Sequence, residues 1–474
     1  MHKLTKIVAT IGPSSDTEEM IEKLIHAGVN VFRFNFKHNT VESHKEGMKR
    51  VQMVSERMNV SVGILLDLQG PEIRINMPYE QIEITKGQEL LFDEESLEKK
   101  EIGFSISHSE ILKYINDGQR LVADDGAFTF KVHKREGKLY IESENTGVLK
   151  KQKSLNIPGA DFPFPVLMER DKIGLDLITE NCASYVALSF VRSAEDLKVI
   201  REEMKKRKCK AKLIAKIETQ RALDDLDAII EETDGVMVAR GDLGVELPIE
   251  QVPYYQKLLI KKCIEKGKSV ITATQMLQSM VVNPYPTRAE VSDVANACYD
   301  LTDAVMLSAE SASGLYPLQS VEMMSKTILF NETKLAFDVR TKYELKTQRV
   351  NNVIADAAYN IYLQLMEHNE NLAGFVVFTH SGKTAELVSK YRPQIPIFTF
   401  APSQEICNHL SLLFGIFSYI RTENPRNEIS KDDILQGISF LENYHSIKKG
   451  DRLIILHGDH WAEGVTSTVK VVTV

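Results

Sequence analysis

The chain has 474 residues, enough for more than one domain, and its 26% charged and 43% hydrophobic residues are an ordinary globular balance. Lys and Arg number 58 against 66 Asp and Glu, a net charge of -8 with no basic run, which argues against non-specific nucleic-acid binding. The five cysteines (Cys182, Cys209, Cys263, Cys298, Cys407) form no CxxC pair, so neither a disulfide framework nor a structural zinc site is indicated. The amino terminus lacks a signal peptide's apolar core and no run approaches a membrane span, so a cytoplasmic protein without a membrane partner is expected.

Residues 6–11 (KIVATI) read as a buried strand ending at Gly12-Pro13. Asp16 opens an expected helix with Met20, Ile21, Leu24 and Ile25 on one face, closed by Gly28. A strand over 30–36, a helix over 41–58 and a strand over 62–66 follow, the last running into Asp67-Leu68-Gln69-Gly70-Pro71. From 76 to 154 the patterning turns short and alternating, as in FTFKVHKREGKLYIES, and reads as a small β domain inserted after the third strand. The α/β alternation resumes near Ile157 with YVALSF (185–190) and KLIAKIET (212–219). A spacer over 221–232 carries Leu223, Leu226, Ile229 and Ile230 at helical spacing, and GVMVARGDLGVE (235–246) follows. SVITAT (269–274) and DAVML (303–307) complete a set of eight strands.

Continuous apolar runs bounded by turn residues suit parallel strands covered on both faces, and eight of them with helices between fit a (β/α)8 TIM barrel. An open doubly wound sheet usually carries a glycine-rich turn after its first strand, which is missing. Beyond Asp338 a charged stretch leads to a helix over 353–366 and strands GFVVFT, IPIFTF and DRLIILH, a further α/β domain. The expected division is 1–72 and 156–340 for the barrel, 73–155 for the inserted β domain and 341–474 for the carboxyl-terminal domain.

Polar residues fall at the carboxyl ends of the expected strands, where parallel α/β folds place catalysis: Thr10, Arg33, Asn35, Asp67, Ser189, Lys216, Glu218, Arg240, Asp242, Thr274, Ser308 and Glu310. Thr10, Ser189 and Ser308 read equally as helix N-caps. Glu218 and Asp242, on adjacent strand ends, are spaced to share one hard cation, and Mg²⁺ or Mn²⁺ would keep its other positions for substrate and water. Lys216, one pleat before Glu218, brings an ammonium suited to a developing enolate or a transferring phosphoryl group. A buried ion pair without catalysis is the plain alternative. Gly241-Asp242-Leu243-Gly244 reads as a turn whose N–H groups reach an anion such as a substrate carboxylate. Arg33, Arg74 and His38 offer positive charge to phosphates, and each reads equally as solvated surface charge.

The stretches ATIGPSS (9–15), FRFNFKH (32–38), DLQGPEIR (67–74), DDG (124–126), NIPG (156–159), AKIET (215–219), MVARGDLGVE (237–246), ATQMLQSM (273–280), NPYPTRAEVSDVAN (283–296) and DAVMLSAESASGLYP (303–317) follow one order. With them the chain resembles the pyruvate kinases over nearly its whole length. The resemblance implies transfer of a phosphoryl group from phosphoenolpyruvate to ADP, giving pyruvate and ATP in glycolysis. It implies that Glu218 and Asp242 hold the divalent metal and that Lys216 stabilises charge on the phosphoryl group and the enolate. Thr274 would contact substrate and help protonate the enolate through water, and the Gly241 and Asp242 amides would take the carboxylate. Arg33, Asn35, His38 and Arg74 would face the phosphoryl group and the nucleotide. The inserted domain becomes a lid carrying Asp125, and the assembly a homotetramer.

The chain departs from the family at Lys37, where Ser is usual, and at Leu68, where Thr is frequent. With Asn35 and Asp67 those positions commonly ligate K⁺. The expectation is that the Lys37 ammonium occupies the cation position and removes the K⁺ requirement; the alternative is a Lys37 turned to solvent. Members without that requirement often carry Lys where this chain keeps Glu72. Arg170 stands where a nucleotide-contacting Lys is often found. In the carboxyl-terminal domain THSGKT (379–384) fails the Walker A pattern, whose first glycine would fall at Val377. In the family this loop, opening a helix, can bind an effector's phosphate. A phosphorylated effector held by Thr379, Ser381, Gly382, Lys383, Thr384 and Trp461 is one reading and a vestigial loop the other, with Glu463 where an Arg would assist fructose 1,6-bisphosphate. Two further alternatives are another metal-dependent, enolate-forming barrel enzyme and a non-catalytic relative kept for binding or regulation.

Overall fold

The computed structural model describes residues 2–98, 102–160, 162–335, 338–345, 350–368, 370–421, 429–445, 447–458 and 466–474. Eight parallel strands close into a barrel, each paired with its neighbours in chain order and the last with the first. They are β1 (Lys6–Thr10), β2 (Val31–Asn35), β3 (Gly63–Asp67), β4 (Tyr185–Leu188), β5 (Lys212–Ile217), β6 (Gly235–Ala239), β7 (Ser269–Ala273) and β8 (Ala304–Leu307). Every residue of β1, β3, β6 and β7 is buried, as runs covered on both faces require. Val8, Leu65, Ile214, Met237, Ile271 and Met306 fill the barrel interior, while the alternate residues pack outward against helices. The β2–β3 register sets Asn35 opposite Asp67, and the two-residue period puts Arg33 on the same face as Asn35.

The strand ends differ from the expectation where the rim is built. The 185–190 run stops at Leu188 because Phe190 takes a left-handed φ of 54°, and the 269–274 run stops at Ala273 because Thr274 and Gln275 take φ of 65° and 53°. Non-glycine residues in that region each cost about 1–3 kcal/mol and persist only where neighbours hold them. The 221–232 spacer is two helices, Gln220–Asp224 and Leu226–Glu232. They part at Asp225, whose carboxylate is drawn to the Ala194 N–H at 2.8 Å. The first helix runs Glu18–Ala27 rather than from Asp16, since the Thr17 hydroxyl caps it by accepting the Met20 N–H.

Between β3 and β4 the short strands from Ile75–Asn76 to Leu155–Asn156 form three small sheets. They enclose a core of their own, with Ile75, Phe92, Phe104, Phe130, Ile141 and Leu149 at its centre. Beyond the helix Val350–Glu367 a five-stranded sheet runs Ile416–Ile420, Ile397–Ala401, Leu372–Phe378, Arg452–His457 and Thr468–Thr473, the last antiparallel. Its two edge strands go beyond the three read from sequence. Among the described residues no helix is long and apolar enough to cross a membrane.

Candidate active site

Asp67, 1% exposed at the end of β3, holds two cations. Its Oδ2 accepts from Arg33 Nε at 2.9 Å and Nη2 at 2.6 Å, and its Oδ1 lies 3.2 Å from Lys216 Nζ. Arg33 also donates to the Thr10 hydroxyl at 3.0 Å, so β1, β2, β3 and β5 are joined by one charged network. Lys216 reaches Glu218 Oε1 at 2.9 Å and the Ser189 hydroxyl at 2.8 Å. Glu218 Oε2 in turn accepts the Phe190 N–H at 2.6 Å, which accounts for that residue's left-handed backbone.

Burial opposes the Lys216 charge, but Asp67, Glu218 and Asp242 outweigh it and raise the ammonium's pKa. Burial would likewise raise Asp67, yet Lys216 and Arg33 hold its carboxyl below the usual range. Glu218 ends up raised, by burial first and then by Asp242, against the pull of Lys216 and the Phe190 N–H. The Glu218–Asp242 pair is therefore short of positive charge.

The 241–244 segment expected as a turn is instead part of the helix Arg240–Glu246. Its Gly241 N–H donates to the Thr274 hydroxyl at 2.8 Å instead of facing an anion, and an added Cβ at Gly241 would sit 3.4 Å from that oxygen. Asp242, in the first turn, accepts no hydrogen bond among the described residues. Asp242 and Glu218 line a cavity of about 380 Å³ together with Lys37 and Glu72 from the barrel side and Asp125 and Asn156 from the inserted sheets. Among the described residues no group of three or more His, Cys, Asp or Glu side chains is disposed around a metal ion. The donor set fits a hard divalent cation bound by two carboxylates with open positions left, since Asp242 has free lone pairs and Glu218 a charge deficit.

Two family profiles match the chain, one described as "Pyruvate kinase, barrel domain" over residues 2–321 and one as "Pyruvate kinase, alpha/beta domain" over 354–472. The chain belongs to the pyruvate kinase family. The pyruvate kinase of Staphylococcus epidermidis is 38% identical over 477 residues, covering 98% of this chain and 80% of the relative. That of Staphylococcus aureus strain MRSA252 is 39% identical over 480 residues with the same coverage. The chain is thus a pyruvate kinase and a phosphotransferase; neither a different barrel enzyme nor a non-catalytic relative is favoured.

In this pyruvate kinase Lys37 does not turn to solvent: its ammonium pairs with Glu72 Oε1, while Glu72 Oε2 holds Arg74 Nη2 at 2.8 Å. The Lys37 N–H donates to Asn35 Oδ1 at 3.3 Å. Leu68 is 1% exposed and its side chain packs beside Gly174, leaving its carbonyl to accept the Ser189 hydroxyl at 2.7 Å. Arg170 braces the loop after β2, donating to Phe36 O at 2.9 Å and Asn39 O at 2.6 Å with its guanidinium 4.8 Å over the Phe36 ring. Burial, with Lys37 and Arg74, lowers the His38 pKa on that loop.

In the carboxyl-terminal unit Thr379 accepts the Gly382 N–H at 3.0 Å and Thr384 shares a 2.6 Å hydroxyl contact with Thr466 at the start of the helix Lys383–Lys390. Trp461 and Glu463 lie outside the described residues. Two functional features went unread in the sequence. One is Asp67 as the anchor of Arg33 and Lys216, signalled only by its place at a strand end. The other is Arg240, read as a rim group, which donates to Thr274 O at 2.6 Å, Ala273 O at 3.2 Å and Asp293 Oδ1 at 2.7 Å, and so fixes the backbone of Thr274.

Proposed function

We propose that the chain transfers the phosphoryl group of phosphoenolpyruvate to ADP, giving pyruvate and ATP, in cytoplasmic glycolysis. The observation that carries this reading is Lys216 held between Asp67 and Glu218, with Glu218 and Asp242 lining one cavity and Asp242 making no ion pair among the described residues. Mg²⁺ or Mn²⁺ on Glu218 and Asp242 would supply Lewis acidity to the phosphoryl and enolate oxygens. A β-phosphate oxygen of ADP attacks phosphorus, the bond from phosphorus to the enol oxygen breaks, and the electron pair stays on that oxygen as an enolate. Lys216 and Arg33 stabilise this charge, both pre-oriented by Asp67. Protonation of the enolate carbon, aided by Thr274 through water, yields pyruvate. Gly241 and Asp242 amides contact the substrate carboxylate once Thr274 yields its hold on Gly241. Asn35, His38, Arg74 and Arg170 face the nucleotide.

The segment 73–155 acts as a lid on a barrel of 1–72 and 156–340, and 341–474 is a regulatory α/β domain whose Thr379, Ser381, Gly382, Lys383, Thr384 and Trp461 take a phosphorylated effector. The assembly is a homotetramer. The Lys37 ammonium, in the region of Asn35, Asp67 and Leu68, supplies the charge that K⁺ supplies elsewhere, which its pairing with buried Glu72 supports.

The test is pyruvate formation from phosphoenolpyruvate and ADP with Mg²⁺ in tetramethylammonium buffer, with and without K⁺. Full activity in both is expected. Activity only with K⁺ would remove the Lys37 role and leave the reaction; no activity in a folded protein would sink the reaction itself.

A further inference from the structure

Where the inserted sheets rejoin the barrel, Ile157-Pro158-Gly159-Ala160 form a tight turn. Proline presets φ at its second position, and Gly159 supplies at the third the left-handed φ, here 73°, that a type II turn requires. The Ala160 N–H closes the turn on Ile157 O at 3.1 Å. An added Cβ at Gly159 would meet nothing within 4 Å, so backbone conformation and not space calls for glycine there. The turn follows directly on the last inserted strand, Leu155–Asn156, and Ile157 is buried in the core of the inserted sheets. It is thus a stiff corner of that domain. A type II turn makes no use of the N–H of its third residue, and the Gly159 N–H donates instead to Glu246 Oε1 at 3.1 Å.

Glu246 is the last residue of the helix Arg240–Glu246, which Pro248 keeps from running further. It stands four residues after Asp242, so the two carboxylates share a face of that helix, and both line the cavity of about 380 Å³ with Glu218. The Glu246 carboxyl is also drawn to the Gln220 N–H, a first-turn donor with no partner within its own helix Gln220–Asp224. Burial raises the Glu246 pKa, and the Gly159 and Gln220 N–H groups pull it back. Gln220 lies two residues beyond Glu218. One side chain therefore touches the corner of the inserted domain and the segment leaving Glu218, and belongs to the helix that carries Asp242.

We propose that Glu246 is a positioning residue for the phosphoryl transfer: it catches the inserted domain at Gly159 and sets the angle at which Asp125 and Asn156 face Glu218 and Asp242 across the cavity. Its atoms take no part in the reaction. Arg192 holds the same crossing further along, at the carbonyls of Phe162 and Phe164, so two contacts on either side of Ala160 define one orientation. Without the catch the domain spends less time closed, and apparent affinity for a ligand that needs the closed form falls by that fraction. Turnover of complexes that do close is left nearly unchanged. This role rests on the reaction proposed above for its effect on KM, whereas the hold on Gly159 stands without it.

The test compares Glu246→Ala, which removes both acceptor oxygens, with Glu246→Gln, which keeps one. Hydrogen exchange of the full chain, without substrates, should quicken about tenfold in the peptide carrying Gly159 for the alanine variant, the loss expected of a charge-assisted hydrogen bond. Exchange at 241–246 and at 128–143 should match wild type. KM for ADP should rise by a similar factor with kcat changed roughly twofold or less, and Glu246→Gln should restore most of both effects. Mn²⁺ titrated calorimetrically should bind the alanine variant as it binds wild type. Should that variant fail to fold, Glu246→Asp, one methylene too short to reach Gly159, should show the same changes at smaller size. Unchanged exchange at Gly159, exchange quickened equally over 241–246, or weakened Mn²⁺ binding would each overturn the proposal, the last two by making Glu246 a support of its helix or a metal ligand. A wild type that makes no pyruvate would instead remove the reaction, and the exchange comparison would still decide whether Glu246 holds the corner.

Discussion

Asp67 contributes no atom to the reaction as proposed, yet both Arg33 and Lys216 owe their orientation to it. Asp67→Asn keeps the shape and removes the charge. Leaving buried cations short of a partner costs about 3–5 kcal/mol, and misplacing a catalytic group by an ångström costs on the order of 10²-fold in rate. A fall in kcat of that order, with a lower denaturation midpoint in urea, is expected for the variant. The pH dependence has a definite sign. The folded pKa of Asp67 is depressed, so its contribution is present above the ordinary carboxylate value of about 3.9 and is lost as pH falls through the lower folded value. Lys216 is raised, so its contribution is complete below about 10.4 and is lost as pH rises through the higher folded value. The stability gap between wild type and Asp67→Asn should therefore stay level across neutral pH and narrow only in strong acid or strong alkali; a gap that closes near neutrality would refute the network. Lys216 and Glu218 were legible because a charge group at the end of an apolar run is a one-dimensional signal. The partners of Asp67 were not, because Arg33 and Lys216 come from two other strands and Ser189 from the loop after a third.

At the scale of elements, the eight strands were legible from their unbroken apolar runs, whereas their ends were not. Phe190 is pulled out of β4 by Glu218, and Thr274 out of β7 by its ties to Arg240 and Gly241, both contacts made across the chain. The two glycines of 241–244 suggested a turn, but the helix Arg240–Glu246 forms because Arg240 is clamped at its start by Ala273, Thr274, Gln256 and Asp293. That clamp has a consequence for activity. Arg240→Lys retains a charge for Asp293 but cannot span both carbonyls, since an ammonium lacks the planar fork. Hydrogen bonds from a charged group are worth about 1.5–3 kcal/mol each, so the Thr274 backbone should relax out of its left-handed conformation. The expected result is a lowered kcat with KM for ADP little changed, together with faster amide exchange at 273–277. Normal exchange there in a slow enzyme would mean that Arg240 acts in some other way.

Over the whole molecule the cores divide unequally. Barrel residues such as Leu188 and Ile264 share one continuous core with Tyr359, Phe375 and Ile397 of the carboxyl-terminal unit, while the inserted sheets keep a core of their own. A body with a separate core can rotate as a unit without disturbing its neighbour, which is what a lid requires. The two chain crossings that join it to the barrel are pinned at known points. The Gln69 and Gly70 N–H groups donate to Asp171 Oδ1 at 2.9 and 3.3 Å. On the return crossing Arg192 donates to Phe162 O and Phe164 O at 3.2 and 3.3 Å, and is itself gripped by both oxygens of Asp196 at 2.9 and 3.0 Å. Among the described residues only the Gly159 N–H, donated to Glu246 at 3.1 Å, ties that segment by a hydrogen bond to the helix carrying Asp242. Because Asp196 fixes the guanidinium, Arg192 acts as a stiff post around which the return crossing turns. Arg192→Ala frees two carbonyls and lets the lid sample more orientations, so the closed arrangement that unites Asp125 with Glu218 and Asp242 is less populated. Hydrogen exchange should quicken over 157–165 without quickening over the lid's own strands at 128–143, and KM for ADP should rise with little loss of thermal stability. Exchange that rises throughout the insertion would indicate that Arg192 supports the fold of those sheets, not the angle at which they close.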